Sequence, residues 1–247
     1  MKKKADKVKG PVLKDTVAIK ETILNIVSDR LDTAEVKACI LAIRSDLEGF
    51  IRSDPFFLTT YEPYPCPKGA PEVVHLMCDA AKQAGVGPMA AVAGTISYLV
   101  ARHMLETGST WAVVENGGDI AIKINEPYHI GIFAGDSPVK DLGLRLEPRK
   151  DIFGVCTSSG TWGHSVSLGC SDAACVVAKD PVLADACATL LGNQVQSRDP
   201  TEKEMDSYFK CLKGIKGVNG ALIVVGEKIG MWGKLPKLVR TKNPDVA

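Results

Sequence analysis

Four segments of the chain carry residues whose types and spacing suit chemistry. In 113-VVENGGDIAIK-123, Gly117 and Gly118 stand between Asn116 and Asp119. Glycine allows positive φ and lets main chain pass close to a ligand. The flanking amide and carboxylate suit a phosphate, sugar or base at the same rim, and the plain reading is a β-turn of four turn-forming residues. A hairpin needs only two such residues, so the pattern asks why there are four. The second segment, 154-GVCTSSGTWGHS-165, offers Thr157, Ser158, Ser159 and Gly160, then Trp162 and His164. Small hydroxyl residues with free N–H groups can wrap phosphate oxygens, Trp162 can stack on a ring, and His164 can exchange protons near neutral pH. A rival reading makes Ser158 or Cys156 a nucleophile activated by His164, without a Gly-x-Ser-x-Gly elbow. A serine-rich loop with no chemistry is the bland alternative.

The third segment, 184-ADACATLL-191, puts Asp185 and Thr189 four apart on one helix face. A carboxylate and a hydroxyl stacked this way suit a hard cation such as Mg²⁺, with waters and phosphates completing its shell. The plain reading is a first-turn Asp favoured by the helix dipole. The fourth, 85-GVGPMAAVAGT-95, leads glycines and Pro88 into a helix, a form that suits an anion. It contains neither Gly-x-Gly-x-x-Gly nor a Walker sequence.

The elements that must position these segments are legible in outline. Residues 16–28 read as two short β-rich runs broken at Lys20–Glu21. A helix follows from Asp32, with Glu35 placed for a capping box, and ends before Pro55. Its inward set is Val36, Cys39, Ile40, Ile43, Leu47, Phe50 and Ile51. Residues 55–71 read as an irregular connection anchored by Phe56, Phe57, Tyr61 and Tyr64. A second helix runs from Pro71 to Ala84 and stops at Gly85, with Val74, Met77, Ala81 and Ala84 inward. A third runs from about Pro88 to Glu106, with Ala90, Ala93, Gly94, Ser97 and Ala101 on one nearly side-chain-free face. Strands are predicted at 110–115, 120–124 and 129–134, a polar loop at 135–151, and a β-rich block at 154–178. Helices at 181–191 and about 202–213, then a hairpin at 220–233, complete the pattern. Helices segregate from strands, which indicates α+β.

Composition excludes several classes. Hydrophobic content of 45% and charge of 24% are those of a globular protein, and a net charge of +1 gives no reason to propose nucleic acid or anionic membrane as partner. The apolar stretch 86–101 is shorter than the ~20 residues of a membrane span and reads as a buried helix. The basic start, Lys2 to Lys9, is followed by no apolar run, so it reads as a flexible tail over residues 1–15 rather than a secretory signal. Eight cysteines without a Cys-x-x-Cys pair read as reduced thiols of a cytoplasmic protein. One domain is expected over residues 16–247.

Taken in order, VGPMAAVAG, VENGGDI, TSSGTWGHS and ADACAT resemble the ApbE superfamily, the FAD:protein FMN transferases, and are closer still to its short ApbE-like branch. The resemblance covers roughly residues 50–235. It implies an α+β, ApbE-like fold of antiparallel or mixed sheets with helices packed on them. It also implies a cleft for FAD or FMN, use of Mg²⁺, and a protein acceptor whose Ser or Thr receives FMN. By the same resemblance, Asn116, Gly117, Gly118 and Asp119 lie beside the flavin nucleotide, Ser159 and Gly160 match a Thr-Ser-Gly, and Asp185 and Thr189 match the metal-binding pair. The sequence departs from the transferases in two places. Their His-Ile-Ile-Asp-Pro segment is contracted here to 163-GHSVSLG-169, which keeps His164 but no following Asp, and their Lys-Gly is replaced by Ala93-Gly94. The expectation is therefore a nucleotide-binding protein with FMN-transferase or pyrophosphate-cleaving activity and His164 as acid or base. The alternatives are a protein that keeps the pocket without turnover, and a structural protein that self-associates through its small-residue faces.

Overall fold

The computed structural model describes residues 11–160 and 168–241. The first β-rich runs form a hairpin, β1 (Leu13–Ile19) and β2 (Thr22–Ser28), turning at Lys20–Glu21. Leu13 already pairs with Ser28, so residues 13–15 belong to the sheet and not to a tail. Helix α1 (Thr33–Ser53) starts as expected: Asp32 Oδ1 accepts from Ala34 N at 3.0 Å and Glu35 N at 3.1 Å. The reciprocal half of the capping box does not form, because the Glu35 carboxylate turns to Arg30 and His103, each 3.4 Å away.

The connection at 55–71 contains a one-turn helix, α2 (Phe56–Thr59). Its anchors are Phe57 and Tyr64, which meet each other and Phe50 edge-on at 5.1 to 6.2 Å between ring centres. Phe56 and Tyr61 are 61% and 64% exposed and anchor nothing by burial. Helix α3 (Glu72–Ala84) buries Val74, Met77, Ala81 and Ala84 and ends at Gly85, whose φ of 70° is the left-handed C-cap. The third helix comes in two parts, a 3₁₀ turn at Pro88–Ala91 and then α4 (Val92–Glu106). No single helix among the described residues is long and apolar enough to cross a membrane.

Strands β3 (Ala112–Asn116), β4 (Asp119–Lys123) and β5 (Tyr128–Gly131) follow. The polar loop expected at 135–151 hides a strand, β6 (Leu142–Leu146), whose Leu142, Leu144 and Leu146 alternate with Gly143 and Arg145. Then come β7 (Phe153–Ser158), β8 (Ala173–Ala178), α5 (Pro181–Gln194), α6 (Glu202–Tyr208), a 3₁₀ turn at Phe209–Leu212, and the hairpin β9 (Val218–Val225) and β10 (Lys228–Gly233). A last strand, β11 (Lys237–Arg240), lies beyond any sequence expectation.

All these strands pair antiparallel. Eight form one sheet in the order β1-β2-β3-β4-β7-β8-β9-β10, and three form a small sheet, β11-β6-β5. The fold is α+β, as expected. The large sheet is a middle layer. Ala112, Val114, Ala121, Cys156, Ala174 and Val176 face the helices, whereas Val113, Ile120, Ile122, Val155, Cys175 and Val177 face Ile130, Leu144 and Leu146 of the small sheet. Burial on both faces is why β8 reads AACVVA, with no polar alternation.

Helix α5 lies almost on the sheet backbone. A Cβ built on Gly154 would fall 2.8 Å from Ala184 Cβ and closer still to the Pro181 backbone. Backbone cannot yield as a long side chain can. Gly154→Ala should therefore lower the unfolding free energy by about 1–3 kcal/mol, read as a fall in the urea midpoint at unchanged slope.

Candidate functional site

The register of the large sheet decides where the polar residues of VENGGDI point. Asp119 opens β4 opposite Cys156 of β7. Side chains alternate along a strand. Since Ile120 and Ile122 face the small sheet and Ala121 the helices, Asp119 faces the helices. Asn116, Cys156 and Ser158 share that side, and Glu115 and Thr157 face the other.

The turn itself is two residues long. Gly117 and Gly118 have φ of 64° and 101°, and Asn116 pairs directly with Asp119. Two adjacent positive φ values are what a tight hairpin demands. The four-residue pattern thus divides: the glycines make the bend, and Asn116 and Asp119 are strand residues. The bend is pinned from the far face. Gly118 N donates to Glu115 Oε1 at 2.8 Å, and Asn25 Nδ2 donates to Glu115 Oε2 at 2.6 Å. Thr157 N donates to Gly118 O at 3.2 Å, which ties the hydroxyl strip to the bend.

Helices α4 and α5 close over the helix-side patch. Gly94 N donates to Asp185 Oδ2 at 2.7 Å. The first turn of α4 has N–H groups with no partner in the helix, and a carboxylate is a favourable one. Gly94 has to be glycine here, since a Cβ would fall 2.7 Å from both Asp185 Cβ and Pro181 O. From the other side, Ser97 Oγ lies 2.9 Å from Asp119 O, and Asn116 Nδ2 donates to Ala93 O at 3.4 Å. The 116–119 hairpin, the start of α4 and Asp185 are therefore one connected patch.

Burial governs its electrostatics. Asp185, 7% exposed, has its carboxyl pushed up to about 7 by loss of water, against the pull of the Gly94 and Ala93 N–H groups. Asp119 is also held well above the usual carboxylate range, by burial first and then by the charge of Asp185. The Cys156 thiol, fully buried, is raised by burial and then by both carboxylates. That opposes the reading of Cys156 as a nucleophile, which requires the thiolate.

The other expected residues divide. Thr189, half-buried, follows Asp185 by one turn of α5. Ser158 is buried on the helix side, whereas Thr157 lies across from Cys175 on the small-sheet side, so the hydroxyls do not form one row. Ser159 is half-buried, and Gly160, exposed, donates its N–H to Ser171 O at 3.0 Å. His164 and Trp162 lie outside the described residues. Ser97, Cys156, Glu115 and Asn25 were not singled out for the roles they hold here. Alternation within each strand, with a two-residue bend at Gly117–Gly118, would have found the Glu115 and Asp119 faces. Asn25 and Cys156 required the strand pairing.

Among the described residues no group of three or more His, Cys, Asp or Glu side chains is arranged to hold a metal ion. The patch offers the Asp119 and Asp185 carboxylates, with Thr189 one turn further along α5, oxygen donors of the kind a hard cation takes alongside water and phosphate. A depression of about 320 Å³ lined by Tyr98, Leu105, Lys123, Lys150, Asp151 and Ile152 lies at the opposite end of β4 and is separate from this patch.

A family model described as AbpE bacteria matches residues 10–207. The chain belongs to the ApbE-like family. It is 48% identical over 229 residues to a UPF0280 protein of Methanosarcina barkeri, covering 92% of this chain and 89% of that one. It is 40% identical over 239 residues to a UPF0280 protein of Methanococcus maripaludis, covering 94% and 95%. The fold is similar to the apo form of the flavinyl transferase ApbE of Pseudomonas stutzeri, with a TM-score of 0.60 at 16% identity over 96% of this chain and 97% of that one. It is also similar to the flavin transferase ApbE of Vibrio cholerae, with a TM-score of 0.56 at 14% identity over 94% and 98%. At such identities the likeness is one of fold.

In this ApbE-like chain a raised carboxyl makes stability depend on pH with a definite sign. The folded state holds the Asp185 proton up to about pH 7, whereas an unfolded Asp releases it near pH 4. Between these values the folded state binds more protons, so the contribution of Asp185 to stability falls as pH rises. Asp185→Asn keeps an oxygen for Gly94 N and cannot ionise. Its urea midpoint should gain on that of the unsubstituted chain from about pH 4 to about pH 7 and stay parallel above.

Proposed function

We propose that this protein binds a flavin nucleotide, FAD in the first instance, together with Mg²⁺, at the patch formed by the 116–119 hairpin, the start of α4 and Asp185. The observation that carries the reading is the 2.7 Å contact of the buried Asp185 Oδ2 with Gly94 N beside a second, half-buried carboxylate, Asp119, within an ApbE-like fold. A buried carboxylate with a second, half-buried one near it favours a cation, and their raised affinity for protons is in keeping with that need.

Asp185 and Thr189 would hold the Mg²⁺, with Asp119 adjoining. When bound, the cation would supply charge neutralisation to a pyrophosphate, the main demand of phosphoryl transfer. The chain's own residues have complementary tasks. Gly117 is exposed and has open space where a side chain would stand, so a ligand can come against the backbone there. Gly118 holds the bend through Glu115 and Thr157. Ser158, Ser159 and Gly160 extend from the same strand end and suit phosphate or ribose oxygens. His164 is the acid–base candidate, for a step that splits the pyrophosphate or passes FMN to a hydroxyl of a protein acceptor.

A second reading, binding without turnover, is favoured by one observation. No Asp lies between His164 and Gly169, so a base found in the transferase motif has no counterpart in that stretch.

Thermal melts with FAD, with and without Mg²⁺, test binding. Saturation at about a hundred times Kd should stabilise by about 2.7 kcal/mol, seen as a rise of several degrees. Asp185→Ala should abolish the Mg²⁺-dependent part. No shift at high excess of FAD overturns the proposal. Release of AMP from FAD in the presence of Mg²⁺ selects the enzyme, and its absence despite a thermal shift selects the second reading. Gly118→Ala, at a φ of 101°, should cost about 1 kcal/mol or more of stability and weaken FAD at a temperature where the fold persists, read by titration.

A further inference from the structure

Away from this patch, one group of nucleophilic side chains is left unused. The loop after α2 is held in place by Tyr64, whose hydroxyl donates to Asp54 Oδ2 at 2.6 Å. Two residues on, Cys66 places its Sγ 3.1 Å from His75 Nδ1 on α3. Cys78 stands three residues after His75, hence on the same face of that helix. Its thiol adjoins that of Cys66 and is pushed up to about 12, by burial first and then by Cys66. Cys66 and His75 are half-buried, and Cys78 is 2% exposed. Three other thiols are half-buried, Cys39, Cys170 and Cys211, and the last two donate to the carbonyls of Val195 and Tyr208 at 3.2 and 3.1 Å.

We propose that Cys66 and Cys78 form a reversible thiol–disulfide site, with His75 as the proton acceptor for Cys66 and a small organic disulfide as the oxidant. Cys66 is the attacking group because it is the more accessible and has an imidazole in contact. Its proton passes to His75 Nδ1, and its thiolate attacks one sulfur of the small disulfide. That S–S bond breaks, and the leaving thiolate takes the proton from His75, which leaves a mixed disulfide on Cys66. His75, neutral again and on the same face of α3, takes the Cys78 proton. Cys78 Sγ then attacks the Cys66 sulfur, the mixed S–S bond breaks, and the second small thiolate leaves with the proton from His75. Two protein thiols are oxidised and one small disulfide is reduced to two thiols. The product ties the 60–71 loop to α3, which leads through Gly85 and Pro88 into the start of α4.

The test exposes the full chain to oxidised glutathione and maps thiols by mass spectrometry. Two of the eight thiols should disappear together in one peptide pair joining Cys66 to Cys78, and dithiothreitol should restore both. Cys78→Ala should stop at glutathione on Cys66. His75→Gln should slow the loss about tenfold or more, with an unchanged circular dichroism spectrum. Cys66→Ser, a mild change at a half-buried position, should leave Cys78 reduced. Glutathione spread evenly over Cys39, Cys170 and Cys211, a different pairing, or no thiol loss at high excess overturns the proposal.

Discussion

The site rests on the closeness of α4 and α5, fixed by one hydrogen bond, from Gly94 N to Asp185 Oδ2, 2.7 Å long. Two helices approach this near only if one of them presents no side chain, and the space at Gly94 is already taken by Asp185 Cβ and the Pro181 carbonyl. The bond satisfies a helix-start N–H that would otherwise be buried without a partner. It also fixes where the Asp185 carboxylate lies: inside, near enough to Asp119 for their charges to interact, with little water. The shifted acidity of both groups follows from that placement, and so does the affinity for a cation proposed above.

Beneath this contact, the eight-stranded sheet acts as a two-sided partition. Its helix face carries the small residues Ala112, Ala121, Ala174 and Ala178, which let α4 and α5 settle closely, while its other face packs larger aliphatics against the small sheet. Gly154 belongs to the same logic, since α5 lies where its side chain would be. A partition of this kind sorts neighbouring residues into separate surroundings. Glu115 and Asp119 are four apart in sequence yet on opposite sides. One braces the bend from below, and the other joins Asp185 above.

Much of this was legible beforehand. Helix α3 with its glycine stop, the α1 cap at Asp32, the α5 start at Pro181 and the terminal hairpin all follow from local rules that need no partner. So does the two-glycine bend. The misses share a cause. Strand β6 sits among Gly, Pro and charged residues, and only the small sheet, paired through β5 and β11, makes Leu142–Leu146 a strand. Tyr61 and Phe56 looked like anchors by type, but with Phe57 and Tyr64 already filling the space against Phe50, both remain exposed. Glu35 had the right spacing for a capping box, yet Arg30 and His103, brought in by the fold, compete for its carboxylate.

The sequence by itself determined the family, through four ordered motifs, and most element boundaries, because caps, glycine stops and periodicity act over a few residues. It also named Asn116, Gly117, Gly118, Asp119 and Asp185 as a set. Tertiary structure alone decided which of them meet. Pairing of Asp119 with Cys156 set the side on which the carboxylate lies, and the approach of α5 to Gly94 brought in Asp185 from far along the chain. The raised proton affinity of that pair could not be read from the letters, since it arises from lost water and a neighbouring charge, and both are properties of the packed interior.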